Sequence, residues 1–302
     1  MKHPTRLQLI LVLTIGIFAV STAAILIRLA STSAGASNVG FSLVLAAMRL
    51  SIAAIILVPR WRTFQSPSKN ALGFAIAAGL ALAIHFATWI SSLLYTSIAA
   101  STTLVTTNPI WVMVLSWLWL KEKPTRATFL GFIVAFIGGI LIGFDTPSGN
   151  HTNSILGNGL AIVGAWAASL YILFGRAAQQ RGFTIGNYIT IVYSTAAIVL
   201  LPLPFLAGAS YFGYPISTYG YIALMALLPQ LVGHTSFNWA VRYLPPTLIT
   251  LVILLEPVGS TILASVLFRE IPSDRVLIGA VILLVGVAIA ALGNSRDRSE
   301  MS

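Results

Sequence analysis

The chain has 302 residues, of which 57% are hydrophobic and 8% charged, with a mean hydropathy of +0.92. Soluble domains are roughly a quarter charged, so this composition excludes a soluble protein, and the net charge of +10 has no soluble face on which to bind nucleic acid. The absence of cysteine also excludes disulfides, thiolate catalysis and Cys-ligated metal sites.

In chain order, apolar runs long enough to span a bilayer, at about 20 residues each, cover 7–29, 40–59, 71–94, 98–120, 127–144, 155–175, 186–207, 217–240, 247–268 and 275–293. The first follows Lys2 and Arg6, and Ser33-Ala34-Gly35-Ala36 resembles a small-residue cleavage site. Its run exceeds the usual signal-peptide core, so it is read as a membrane helix. The segment after 294 (Ser295-Arg296-Asp297-Arg298) reads as a disordered end covering 295–302.

Two stretches match without a gap, 99–144 and 247–292, at a shift of 148 positions. The first reads Thr107-Asn108-Pro109, then Lys121-Glu122-Lys123-Pro124-Thr125, then a helix with Gly131 and Gly138. The second reads Leu255-Glu256-Pro257, then Arg269-Glu270-Ile271-Pro272-Ser273, then a helix with Gly279 and Gly286. Tyr95 falls on Tyr243, Gly16 on Gly164 and Arg28 on Arg176 at the same shift. The expected fold is an all-α membrane protein of ten transmembrane helices in two five-helix repeats, 1–146 and 147–294.

An odd number of spans per repeat makes the second copy enter from the opposite side, so the repeats are expected to be inverted. Lys and Arg collect on cytoplasmic ends. With both termini inside, that side holds Lys2, Arg6, Arg60, Arg62, Lys69, Lys121, Lys123, Arg126, Arg176, Arg181, Arg242, Arg296 and Arg298, against Arg28, Arg269 and Arg275 outside.

Polar groups inside a bilayer are costly unless partnered. Glu256 in the ninth span is read as a coupling or substrate-contacting carboxylate, or as a structural one paired with Arg49 of the second span. Asn108 is its counterpart, and Pro109 and Pro257 are expected to kink their helices as hinges beside the pseudo-two-fold axis. His85 and His234 lie in corresponding spans, one residue out of register, His85 beside Trp89 and His234 beside Gln230 and Asn238. His3 and His151 read as solvated, Tyr211, Tyr214, Tyr219 and Trp61 as interfacial, and Trp117 and Trp119 as anchors. Trp166, among Gly164, Ala165, Ala167, Ala168 and Ser169, is read as a pocket wall. Gly139 and Gly143 have GxxxG spacing, and with Gly131, Gly138, Gly279 and Gly286 they suggest that the fifth and tenth helices buttress the bundle or pair between protomers. No Walker A, His-Glu-x-x-His or Gly-x-Ser-x-Gly motif occurs, so no enzyme, metal, cofactor or ATPase subunit is expected.

The apolar-Glu-Pro of the ninth span, the two charged-Pro turns and the glycine-bearing last helix of each half resemble the EamA-type members of the drug/metabolite transporter superfamily, over the whole chain. Within it the chain is most similar to bacterial aromatic amino acid exporters of the inner membrane. That resemblance implies both termini cytoplasmic, a central cavity between the halves, and efflux of Phe, Tyr, Trp and related compounds by alternating access. The candidate site for such a substrate comprises His85, Trp89, Asn108, Trp111, Trp166, Gln230, His234, Phe237 and Asn238, with Glu256 and Arg49 as charges. The expected surroundings are the lipid bilayer and a small-molecule substrate, in a monomer or homodimer. The alternatives are a carrier of cationic drugs, purines or other metabolites, and a membrane enzyme or sensor without transport.

Overall fold

The computed structural model describes residues 4–65, 67–120, 125–143, 153–244 and 246–300. His3, His151 and the Lys121-Glu122-Lys123-Pro124 turn lie outside them, as do the side chains of Trp117 and Trp119. Among the described residues every regular element is helical.

The first repeat contains α1 (Arg6–Ser21), α2 (Ala23–Ala34), α3 (Val39–Ile56), α4 (Lys69–Ser92), α5 (Ile98–Val105), α6 (Asn108–Leu120) and α7 (Arg126–Gly143). The second contains α8 (Ser154–Gln180), α9 (Ile185–Leu200), the short α10 (Leu203–Leu206), α11 (Ile216–Met225), a π-helical stretch Ala226–His234, α12 (Thr235–Ala240), α13 (Pro246–Ile253), α14 (Glu256–Phe268) and α15 (Asp274–Glu300). Among the described residues, six helices are long and apolar enough to cross a membrane: Arg6–Ala34, Val39–Ile56, Lys69–Ser92, Ser154–Gln180, Ile185–Leu206 and Ile216–Ala240. The expected spans 98–120 and 247–268 are each interrupted, leaving half-helices. The last helix continues to Glu300, through most of the expected disordered end, since no proline stops it.

Helix starts are written in the sequence. Thr5 and Gln8 form a reciprocal capping box at α1. Asn38, Ser68, Ser97, Asn153 and Thr184 each accept a backbone N–H at the start of α3, α4, α5, α8 and α9, each worth about 1 kcal/mol. Gly35 ends α2 in the left-handed region at φ 60°.

The packing obeys the duplication. α4 lies along α8, and the corresponding pair, α1–α2 against α11–α12, packs in the same way. α3 packs on α9 and α7 on α15, each a helix on its own mate. The α7–α15 contact is a close backbone crossing: a Cβ on Gly138 would meet the backbone of Gly279 and Leu283, and one on Gly286 that of Gly131 and Ala135, all within 3 Å. Gly139 of the GxxxG pair has only the Leu283 methyl, 3.9 Å away. The two glycine helices therefore pair with each other inside one chain.

At one end of the bundle Ser33 Oγ lies 2.6 Å from Ser217 Oγ, and the Phe41 and Tyr214 rings meet edge to face at 4.8 Å. Tyr211 donates to Leu201 O (2.7 Å) and Tyr219 to Tyr211 O (3.0 Å), so these tyrosines stitch a loop together. At the other end Asn187 donates to Gln65 O (2.9 Å) and the Arg181 guanidinium sits 4.4 Å over the Phe74 ring. Arg60, Arg62, Lys69 and Arg181 belong to that second end.

Candidate functional site

Two helix breaks at matching positions organise the centre. α5 stops at Val105 and α6 begins at Asn108; α13 stops at Ile253 and α14 begins at Glu256. Pro109 and Pro257 are the second residues of the new helices, where a missing N–H leaves no bond unmade. The prolines thus start fresh helices and do not kink continuous ones, which corrects the expectation. Side chains add bonds to the carbonyls beside the first break: Thr106 Oγ1 donates to Thr102 O (2.9 Å) and Thr107 Oγ1 to Leu104 O (2.8 Å), each of which also accepts a backbone N–H. With its amide nitrogen turned toward them, Asn108 donates to Val105 O (2.9 Å) and Ala165 O (3.1 Å). Ser169 Oγ returns a bond to Asn108 O at 3.2 Å.

Between the breaks lies a cavity to which both repeats contribute. His85, Trp89, Asn108, His234, Phe237, Asn238 and Glu256 line it, all from the sequence-derived set. Its apolar wall includes Val20, Ala23, Val105, Ala168, Ile172, Val241, Ile249 and Ile253. The shift of 148 pairs many of these residues with one another: Val20 with Ala168, Ala23 with Tyr171, Trp89 with Phe237, Val105 with Ile253 and Asn108 with Glu256. The cavity therefore sits on the pseudo-two-fold axis. Tyr171 also lines it and was missed as a site residue; its signal was its pairing with Ala23.

The histidine offset has a structural cause. A π turn takes up an extra residue, and the π stretch Ala226–His234 brings His234, one position beyond the exact mate of His85, to 6.3 Å from the His85 ring. His85 Nδ1 lies 2.9 Å from Gly164 O, an acceptor only, so Nδ1 carries the proton and Nε2 is left as an acceptor. The His85 ring stacks on Trp89 at 5.8 Å. Asn238 Oδ1 accepts from the Tyr171 hydroxyl at 2.7 Å, and Asn238 O accepts from Gln179 Nε2 at 3.2 Å. Asn238 Nδ2 and the Trp89 indole nitrogen are buried donors with no partner among the described residues. Glu256 makes no ion pair among them. The cavity's volume is about 60 Å³, room for about four water molecules.

Four predicted residues lie elsewhere. Arg49 and Gln230 are fully buried outside the lining, Arg49 Nε donating to Gln230 Oε1 at 3.0 Å with its guanidinium 4.1 Å over the Phe86 ring. The Arg49–Glu256 ion pair is not formed; the guanidinium is held by an amide and a ring face instead. Trp111 turns back to Thr107 Oγ1 at 3.1 Å. Trp166 stands 44% exposed on the outside of the bundle, because its small neighbours pack α8 inward on the opposite side. Trp166→Ala is accordingly expected to leave solute exchange within about twofold of wild type, as surface changes usually do; initial rates in proteoliposomes check this.

One ion pair joins the repeats at the end remote from Arg181. Arg28 Nη1 donates to Glu270 Oε2 at 2.8 Å and Nη2 to Thr96 O at 3.3 Å, while the Ile98 N–H donates to Glu270 Oε1 at 2.7 Å. Arg269, beside Glu270, has φ 54°, the one positive φ at a non-glycine residue among those described.

A two-copy helical chain with a central cavity on its internal axis can be compared with known proteins. The model of the EamA-like transporter family matches residues 6–144 and again 155–292. The chain belongs to the EamA-like transporter family. Each match covers one repeat, so this EamA protein is a multi-pass membrane transporter built of two such units. It is 26% identical over 258 residues to an uncharacterized transporter of Clostridium kluyveri, covering 81% of this chain and 82% of that one. It is 27% identical over 229 residues to the uncharacterized transporter YyaM of Bacillus subtilis, covering 74% of each. A protein of Streptantibioticus cattleyicolor named as a probable terminal-alkyne amino-acid exporter is 24% identical over 201 residues, 65% of this chain and 66% of that one. A crystal structure with a TM-score of 0.63 and 20% identity covers 95% of this chain and 98% of its own, which shows a shared fold.

Proposed function

We propose that this EamA transporter exports amino acids, aromatic ones foremost, by alternating access through the central cavity. The observation that carries this reading is the cavity's mixed polarity. Two donors without a partner among the described residues, Trp89 Nε1 and Asn238 Nδ2, share a largely apolar and aromatic wall with the carboxylate Glu256 and the polar residues Thr106 and Asn108. A free amino acid presents the complementary set: a carboxylate for the donors, an ammonium for Glu256, and an apolar side chain for the rest. The amino-acid exporter among the relatives supports the substrate class.

In this reading the half-helices α5–α6 and α13–α14 each complete one membrane crossing. The chain then has ten spans in two inverted units, with both termini at the arginine-rich, cytoplasmic face. The N-terminus of α14 favours the negative charge of Glu256 that begins it. A cavity of about 60 Å³ falls well below the roughly 300 Å³ at which ligand pockets begin. Loading therefore requires the units to rock apart, with the two breaks as the flexible joints. A site of this size suits a monomer as the working unit, and Glu256, which makes no ion pair among the described residues, favours organic cations as the second substrate class.

The test is counterflow in proteoliposomes with labelled Phe, Trp, Thr and a cationic dye, with and without a pH gradient. Phe and Trp are expected to exchange, and Glu256→Gln to lower that exchange about tenfold, the equivalent of 1.4 kcal/mol. Exchange of the dye without Phe or Trp would overturn the amino-acid reading.

A further inference from the structure

We propose that Arg49 and Tyr193, both fully buried and outside the cavity lining, are positioning residues that hold the π stretch in register and so aim His234 and Asn238 at the substrate. The proposal rests on the reading of that cavity as the amino-acid site and adds the groups that keep one of its walls in place.

Arg49 is costly as a mere packing residue. Its Nη1 and Nη2 have no partner among the described residues, and neither does Nε2 of Gln230. A guanidinium at membrane depth is among the most expensive groups to bury, and apolar residues of similar volume often stabilise as well or better. What Arg49 holds is specific. Its Nε donates to Gln230 Oε1 at 3.0 Å, inside the π stretch, and its guanidinium lies over Phe86, whose ring meets that of His234 edge-on at 5.3 Å. Tyr193 grips the same stretch from α9. Its hydroxyl donates to Gln230 O at 3.4 Å and lies 3.1 Å from Oγ1 of Thr235, the residue after His234.

Register is what this grip decides. Ahead of the stretch α11 packs on α2 and α3; behind it comes α12, which carries Phe237 and Asn238 into the cavity wall. One residue more or less between the two turns α12 by about 100°, at roughly 3.6 residues per turn, and takes Asn238 to another face. Pro229, inside the stretch and without an N–H, explains why the helix departs from α there. It does not fix where the departure ends.

The duplicated sequence supplies an internal control. At the shift of 148, Arg49, Gln230 and Tyr193 fall on Ala197, Leu82 and Leu45, all buried and all apolar. The counterpart of the π stretch lies within α4, which is α-helical from Lys69 to Ser92. The polar grip and the π turn therefore occur together in one copy, and the copy with three apolar residues in those places keeps an ordinary helix.

Uptake of labelled Phe into proteoliposomes tests this by double-mutant cycles, with unfolding followed in parallel. Arg49→Met is expected to raise the KM about tenfold while kcat stays within about twofold. Arg49→Lys, whose ammonium can still donate to Gln230, is expected to recover part of the loss. In a His234→Ala/Asn238→Ala background Arg49→Met is expected to add less than about twofold, because the groups it positions are gone; in a Trp89→Phe background the full effect should return. Tyr193→Phe, which removes only a hydroxyl, is expected to give the same pattern at about threefold, and decides the matter should Arg49→Met fail to fold. Losses that persist undiminished in the His234→Ala/Asn238→Ala background overturn the positioning role and leave the transport reading standing. A wild-type protein that carries no Phe overturns the amino-acid reading and this proposal with it.

Discussion

Gly286→Val is expected to deprive the protein of its fold in detergent or lipid. In a bilayer the lipid tails are as apolar as the helix surfaces, so helices associate through close packing and not through burial from water. α7 and α15 achieve that packing by crossing backbone against backbone. A Cβ at 286 would meet the Ala135 backbone nitrogen and lie 2.7 Å from Gly131 O. Main chain cannot rotate aside as a side-chain tip can, so the helices must separate along the whole contact. Overpacking a well-filled core costs about 1–3 kcal/mol, and at a backbone crossing the upper figure applies. That is a large share of the roughly 5–15 kcal/mol that holds a domain together. Gly139→Val is the matched control, with only a side-chain methyl 3.9 Å away. Thermal unfolding followed by size exclusion should show Gly286→Val aggregated or strongly destabilised and Gly139→Val near wild type. Similar losses in both would refute the crossing.

The contrast between these two glycines shows where the sequence was informative. The repeat and its break points at Asn108-Pro109 and Glu256-Pro257 could be found because rare residues recur at one shift, and His85, Trp89, Phe237 and Asn238 because polar and aromatic groups stand out within apolar spans. Which face a residue takes could not. A helix apolar all round has no polar stripe to mark its outside, so Trp166 was read as a pocket wall although it faces outward; among the glycines, Gly138, Gly279 and Gly286, which recur at the shift, lie at the crossing, whereas Gly139 of the GxxxG pair does not. Arg49 was correctly singled out as a buried charge. Its partner was misjudged because the π stretch turns Gln230 toward it, and a π turn leaves no trace in hydropathy. Tyr171 needed the duplication to be applied residue by residue, through Ala23, after one copy of the site was known.

Arg28→Glu is expected to open the end of the molecule that the ion pair now closes, and Glu270→Arg in the same chain to close it again in part. Glu270 follows α14 in the second repeat, whereas both its partners, the Arg28 guanidinium and the Ile98 N–H, belong to the first. The carboxylate therefore ties the two units that must part if substrate is to pass. The side chains are 25% and 17% exposed, and putting two carboxylates there should cost about 1–3 kcal/mol, discounted for that exposure. Such a cost shifts a closed–open equilibrium roughly 5- to 150-fold. The chain has no natural cysteine, so Ala23→Cys, in the cavity wall and 2% exposed, gives a clean reporter. Its labelling by a membrane-impermeant maleimide from the Arg28 side should accelerate about tenfold in Arg28→Glu. The double reversal should recover most but not all of the protection, since Ile98 then loses its acceptor, worth about 1 kcal/mol. In the second copy the same shift places Arg176 opposite Glu122 but puts Pro246, which has no N–H, where Ile98 stands. The three-part tie can form at one end only, so labelling from the arginine-rich side should be unaffected by Arg28→Glu or fall. A rise from both sides alike would mean that Arg28 and Glu270 hold the fold together and do not gate it.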